Sequence, residues 1–329
     1  MMTQNGKADT APMVSVVIPT FNNAQFLPEA LDSLLSQTFR SLELIVVDDG
    51  STDDTVDVLK PYAGLLRYIR KENGGPASAR NAGIKHARGE LIAFQDADDI
   101  WLPEKLQLQV DYLREHPEVG VVFSGSVFFG TETRQSDCLK QRFNVNSGMM
   151  FDRLLHDHFV GMSSVVIRRS CLDEIGLFDE SLIGAEDYNL YLRLARKFQF
   201  GFLEDRLIMK RLHDGNLSNN LEQMLKDEIT NLQKIAALFP DANIPTTKLA
   251  AQIYFRFGRY YFDRKAFAKA RTCMGRALEL SPGLWHAWLY LPVTLLPRIC
   301  RDGLLDVMRK ARRARRARAN RAHNPGLAR

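Results

Sequence analysis

Cysteine is scarce and scattered in this 329-residue chain: Cys138, Cys171, Cys273 and Cys300 lie far apart, with no metal-ligand spacing between them. That argues against a zinc ribbon or a disulfide-stapled scaffold, and a reduced, cytoplasmic chain is the simple reading. No apolar run reaches the ~18 residues that a membrane-spanning helix needs. The first 12 residues are polar and lack the apolar stretch of a signal peptide. Neither GxGxxG nor GxxxxGKS/T occurs, which disfavours a dinucleotide-dependent oxidoreductase and a P-loop enzyme.

What is present is a globular composition, 45% hydrophobic and 25% charged, in a length that allows a full catalytic domain and a smaller appendage. The net charge of +5 misleads as an average. Residues 309–321 hold seven arginines and one lysine with no acid, and removing those eight charges leaves the rest of the chain near −3. The basic character therefore belongs to the tail.

Strand and helix signals alternate over the first 125 residues. Apolar runs predict strands over 14–18, 42–47, 65–69, 91–95 and 119–123. Helical spacing predicts helices over 26–35, 52–59, 76–86 and 102–115, the last with Pro103 near its first turn. Repeated β-α units with continuously apolar strands imply an α/β fold with a mainly parallel sheet flanked by helices. The pattern loosens over 130–220, where a strand at 163–167, a helix at 185–197 and an extended segment at 200–210 are expected. After Leu221 the chain reads as wholly helical, and Gly258, Tyr261, Phe267, Ala270, Ala277 and Pro282 fall near the places a tetratricopeptide hairpin would put them. The expected organisation is a disordered N-terminus (1–12), a catalytic domain (13–220), a helical C-terminal region (221–308) and a basic disordered tail (309–329).

The most telling stretch is Asp96-Ala97-Asp98-Asp99, directly after an apolar strand. Three carboxylates within four residues repel one another, so a positive partner belongs there, most simply a divalent cation. The strand over 42–47 ends similarly in Asp48-Asp49-Gly50-Ser51. Asp48 reads mainly as a turn or cap residue. Two acidic strand ends suggest a site for metal and nucleotide at the carboxyl edge of the sheet.

In order, residues 14–22 (VSVVIPTFN), 46–53 (VVDDGSTD), 75–83 (GPASARNAG), 94–103 (FQDADDIWLP), 176–179 (GLFD), Glu186-Asp187 and 211–218 (RLHDGNLS) resemble glycosyltransferase family 2. The likeness covers roughly residues 12–220, and its strength lies in the ordered set. It implies a GT-A fold and inverting transfer from a nucleotide-sugar, with uridine the favoured nucleotide. It also implies a Mg²⁺ or Mn²⁺ ion bound by Asp98 and completed by His213. By the same resemblance Asp96 bonds the donor ribose and Asp49 the base, while Pro19, Thr20, Phe21 and Ala97 line the donor pocket. Asp187 becomes the general base that takes the acceptor hydroxyl's proton. Arg80, one turn into the helix after Gly74-Gly75, is expected to reach the diphosphate or base. Asp99, Trp101 and Glu186 are expected near the sugar or acceptor, although Trp101 could equally anchor the next helix.

Processive synthases of this kind carry Gln-x-x-Arg-Trp and several membrane helices. Neither is present, which favours single addition. The implied partners are a nucleotide-sugar donor and a saccharide or lipid-linked acceptor of the cell envelope. The stretch 284–300, with Trp285, Trp288 and Tyr290, precedes the arginine run, so residues 284–321 suit peripheral attachment to an anionic membrane at the cytoplasmic face. Two other readings compete. One is a catalytically silent nucleotide-binding protein. The other is nucleic-acid association through the tail, which is weakened because the tail lacks interleaved aromatics.

Overall fold

A computed structural model of the chain describes residues 11–130, 135–137 and 146–296. The expected tail at 309–329 and nearly all of the expected N-terminal segment lie outside them, as do Cys138 and Cys300. The described residues form two compact units that meet in sequence at Pro240.

In the first unit the strands are β1 (Val14–Thr20), β2 (Leu42–Asp48), β3 (Arg67–Arg70), β4 (Leu91–Phe94), β5 (Ile100–Trp101), β6 (Val119–Gly130), β7 (Gln135–Asp137), β8 (Val166–Arg168) and β9 (Gln199–Leu212). Its helices are α1 (Leu27–Leu35), α2 (Thr55–Leu59), α3 (Gly75–His86), α4 (Lys105–Glu115), α5 (Phe151–His156), α6 (Arg169–Ile175), α7 (Glu186–Lys197) and α8 (Leu221–Leu238). The sheet order is β3-β2-β1-β4-β8-β6-β9-β5, with β7 on the edge of β6. The strands β3, β2, β1 and β4 are mutually parallel, as the β-α alternation implies. Beyond them the sheet is mixed, because β8 runs antiparallel to both β4 and β6 and β5 runs antiparallel to β9. Val16, Ile18, Val46 and Ala93 from the sheet and Leu27, Leu31 and Leu34 from α1 share the main core, fully or almost fully buried. Core strands of this kind read as unbroken apolar runs because water reaches neither face.

Gly83 shows how tightly a helix lies on this sheet. A Cβ there would stand 2.3 Å from Val17 Cγ1, so α3 approaches β1 closely only because residue 83 is glycine. The helix α8 belongs to the first unit, which places the boundary at Pro240 where the sequence suggested residue 220.

In the second unit α9 (Thr246–Asp263) and α10 (Phe267–Leu280) form the expected antiparallel hairpin, and α11 (Trp285–Leu295) packs on it. Gly258 permits the close approach: a Cβ there would lie 3.0 Å from Met274 Cγ.

Candidate active site

Parallel strands bring their carboxyl ends to one edge, and β1, β2 and β4 deliver their following loops there. Pro19 is half-buried, Thr20 buried and Phe21 exposed at the end of β1. Thr20 Oγ1 is buried without a protein partner. The Asp49 amide donates to the Thr20 carbonyl at 2.9 Å, which ties the first two strand ends together.

The two acids after β2 have different duties. Asp48 is fully buried, accepting from Ser51 N at 2.8 Å and from the Tyr68 hydroxyl at 2.7 Å. Burial and that carboxylate push the Tyr68 phenol up to about 12. Asp49 accepts from Lys71 Nζ at 2.6 Å, from Gly74 N at 3.0 Å and from Gly75 N at 2.7 Å. It thus holds the turn that opens α3, where Gly75 takes φ +85°.

Arg80 departs from its expected role. It is only 5% exposed, donating from Nη1 to Glu186 Oε1 at 2.7 Å and from Nη2 to Asp96 Oδ1 at 2.9 Å. Both ends of the guanidinium fork are committed, so Arg80 joins two acids and does not reach out to a diphosphate. Burial opposes the charge, yet Asp96 and Glu186 raise its pKa further. Glu186 likewise becomes a partner inside the protein, not a sugar contact. Burial lifts its carboxyl to about 7 against the pull of Arg80, with Asp187 adding repulsion.

The acidic cluster divides in the same way. Asp99 is 1% exposed, accepting from Ser163 Oγ at 2.6 Å and from the Arg211 amide at 3.1 Å. Burial raises it to about 7 even though Lys210 opposes the shift. It cannot meet a sugar. Its contacts bind the end of β4 to β9 and to the short turn before β8. Trp101 is also 1% exposed, with Lys105 Nζ lying 3.6 Å from the ring centroid. It anchors α4 and is not a stacking platform. Ala97 is a core residue at 3% exposure, so its side chain does not line the cleft.

Asp98 stays partly open, with about one-sixth of its side chain exposed. Its Oδ2 lies 2.9 Å from His213 Nε2 and accepts from Asn216 Nδ2 at 3.1 Å. Two residues of β5 make this meeting possible: Ile100 pairs with Met209 and Trp101 with Ile208, so the chain leaving β9 passes over the acids. Arg211 then fixes the crossing. Its Nε donates to the Asp98 carbonyl at 3.0 Å, and its guanidinium also pairs with Glu29. A carboxylate oxygen and an imidazole nitrogen suit Mn²⁺ or Mg²⁺ as a partial shell. Among the described residues no three His, Cys, Asp or Glu side chains gather into a full one. Remaining positions around such an ion would fall to water and to phosphate oxygens.

Asp187 opens α7 on the far side of Arg80, its side chain 20% exposed. Its Oδ1 accepts from Tyr188 N at 2.6 Å, and His158 Nε2 lies 3.4 Å from Oδ2. Burial works against the charge, but His158 leads the groups that hold the carboxyl below its ordinary value. The His158 ring stacks on Tyr188 with centroids 4.7 Å apart, which sets its angle.

His158, Lys71, Ser163 and Asn216 thus complete the site. Asn216 falls within the RLHDGNLS string. The other three carry no local sequence signal, since each acts through a fold contact. The segment GLFD is clasped by Asn81, which donates to the Phe178 carbonyl at 3.0 Å and accepts from the Phe178 amide at 2.9 Å. That pairing draws α3 and the approach to α7 together.

The family model "Glycosyl transferase family 2" matches residues 15–176. An uncharacterized glycosyltransferase of Rickettsia prowazekii is 34% identical over 221 residues, covering 66% of this chain and 69% of that relative. The Escherichia coli UDP-Glc:alpha-D-GlcNAc-diphosphoundecaprenol beta-1,3-glucosyltransferase WfgD is 28% identical over 219 residues, covering 65% and 83%. Among solved structures, the mannosyltransferase PcManGT of Pyrobaculum calidifontis, in complex with GDP-Man and Mn²⁺, aligns with a TM-score of 0.56 at 20% identity. It covers 87% of this chain and 86% of that one, a likeness of fold.

Proposed function

The chain belongs to glycosyl transferase family 2 and is a glycosyltransferase of the GT-A fold, and from that premise we propose that it catalyses a single inverting transfer from a nucleotide-sugar with Asp187 as base. One observation carries the reading: Arg80 joins Asp96, at the donor edge, to Glu186, next to Asp187. That link supports a reading in which donor and acceptor chemistry lie side by side.

In this reading the acceptor hydroxyl oxygen attacks the anomeric carbon as its proton passes to Asp187. The bond from that carbon to the diphosphate oxygen breaks, and the electron pair leaves with the nucleoside diphosphate. Attack opposite the leaving group inverts the configuration. His158 keeps Asp187 charged and ready to accept a proton. Pro19 and Phe21 line the base pocket, and Thr20, buried at the end of β1, backs it from behind. Asp49 holds the turn against which the nucleotide rests, and Asp96 offers its remaining carboxylate oxygen to the ribose.

Asp98 and His213 would hold a Mg²⁺ or Mn²⁺ ion, which offsets the charge growing on the departing diphosphate. The PcManGT complex holds Mn²⁺ with its nucleotide-sugar, which supports this assignment by analogy of fold. A uridine donor and a lipid-linked acceptor for cell-envelope polysaccharide, met at the cytoplasmic face of the membrane, are the favoured substrates. The WfgD name, with its UDP-glucose and diphosphoundecaprenol, supports that choice.

The test is Asp187→Asn. It should lower turnover by roughly 10²–10⁴ while UDP with Mn²⁺ still raises the melting temperature as in wild type. Unchanged turnover would dismiss Asp187 as the base. A wild type that moves sugar from no activated donor would sink the enzyme reading.

A further inference from the structure

The helix α11 contains no charged side chain. Ala287, Val293 and Thr294 are buried, and Tyr290 and Leu291 pack against Met274 and Leu278. Across the helix, Trp285, Trp288, Leu289, Pro292 and Leu295 are exposed, the two tryptophans to 60% and 55%. Spacings of three and four put these side chains on one face. An ordinary surface helix turns charged residues to water. This one turns its largest apolar side chains there.

The tryptophans are held in place. Trp288 Nε1 donates to the Pro282 carbonyl at 2.9 Å, and Trp285 stacks on His286 with centroids 3.6 Å apart. Shortly after the helix the sequence enters residues 309–321, with eight basic side chains and no acid.

We propose that α11 is a membrane-surface helix whose partner is an anionic phospholipid bilayer. Trp285, Trp288 and Leu289 enter the headgroup zone, and the eight basic charges that follow in the sequence draw the chain to anionic lipid. Amphipathic aromatic rings favour that zone, and neither a small apolar patch nor a basic run anchors firmly alone. Together they supply the two signals that stable attachment takes. Charge selects the bilayer over a second copy of this chain, because pairing two such faces would crowd two runs of eight like charges. The proposal is independent of the donor site.

The full chain, without donor, is titrated with vesicles of phosphatidylglycerol and phosphatidylcholine, and with phosphatidylcholine alone. Binding is expected to the anionic vesicles and to weaken steeply with added salt. Of the three tryptophans Trp101 is buried, so a blue shift on binding reports Trp285 and Trp288. Replacing both with serine should weaken binding at least about ten-fold, and changing Arg312, Arg313, Arg315 and Arg316 to glutamine about a hundred-fold or more. Both variants should keep the wild-type melting temperature and response to UDP, since the altered tryptophans are exposed. No binding to anionic vesicles at low salt overturns the proposal, as does binding without a fluorescence shift. Sedimentation showing a dimer that Trp288→Ser dissolves, with no vesicle binding, would assign the face to a second copy instead.

Discussion

Arg80 and Glu186 stand 106 residues apart in the chain and 2.7 Å apart in the fold. With Asp96 on its other arm, Arg80 joins the end of β4 to the start of α7. Arg80 and Glu186 are nearly all out of water while Asp96 keeps a quarter of its side chain exposed, so breaking the bridge leaves the buried Glu186 without its partner. Replacing Arg80 with methionine should cost about 3–5 kcal/mol, read by urea denaturation. A loss below 1 kcal/mol would show that the bridge is not a structural element.

Glu186 contributes to the pH dependence of stability, alongside Asp99, which burial raises in the same direction. Its carboxyl sits at about 7 in the fold and near 4.5 in the unfolded chain, so between those values the folded state binds more protons. Its contribution to stability is therefore fully present below pH ~4.5 and fades as pH rises toward ~7. Glu186→Gln, which cannot titrate, should flatten the denaturation profile over that window. An unaltered slope would assign the titration to another group.

A second pH prediction concerns activity. His158 helps hold Asp187, the proposed base, below its ordinary value, so His158→Gln should raise the pKa of that carboxyl. The acid limb of kcat/KM then moves to higher pH, with less effect on the plateau. A limb that stays in place would remove His158 from the control of Asp187.

For Asp98 and His213, joined at 2.9 Å, the readout is cation dependence. Chelation should abolish transfer, and Mn²⁺ should restore it. His213→Ala should raise the Mn²⁺ concentration needed at least about ten-fold, without changing the melting temperature of the metal-free protein by more than a few degrees. Transfer that persists in chelator would refute the cation assignment.

Gly83 gives a packing test. Alanine there drives a methyl group to 2.3 Å from Val17 Cγ1, and overpacking of this sort costs typically about 1–3 kcal/mol. Val17→Ala removes the obstructing methyls, so the double variant should lose less than the sum of the two single losses. Strict additivity would show that the close approach of α3 to β1 is not the source of the glycine requirement.

Local pattern was enough for much of this protein. The apolar runs of β1, β2, β4 and β6, the spacing of α1, α3, α4 and α7 and the α9–α10 hairpin are legible because each buries a face that sequence periodicity records directly. The acids at the ends of β2 and β4 were visible too, since like charges crowded beside an apolar strand require partners. Which acid stays partly open was not written locally. Asp98, Asp99 and Asp96 are near neighbours in sequence, yet one lies open beside His213, one is sealed under Ser163 and one is bound to Arg80. The two-residue β5 and the antiparallel β8 make that division: β5 is too short to leave a periodic signal, and the expected strand at 163–167 carried no sign of its direction or partners. Tertiary structure alone decided that Trp101 is an anchor, Arg80 a bridge and His158 a neighbour of Asp187, because each role depends on a residue dozens of positions away or on a burial that only the assembled sheet creates.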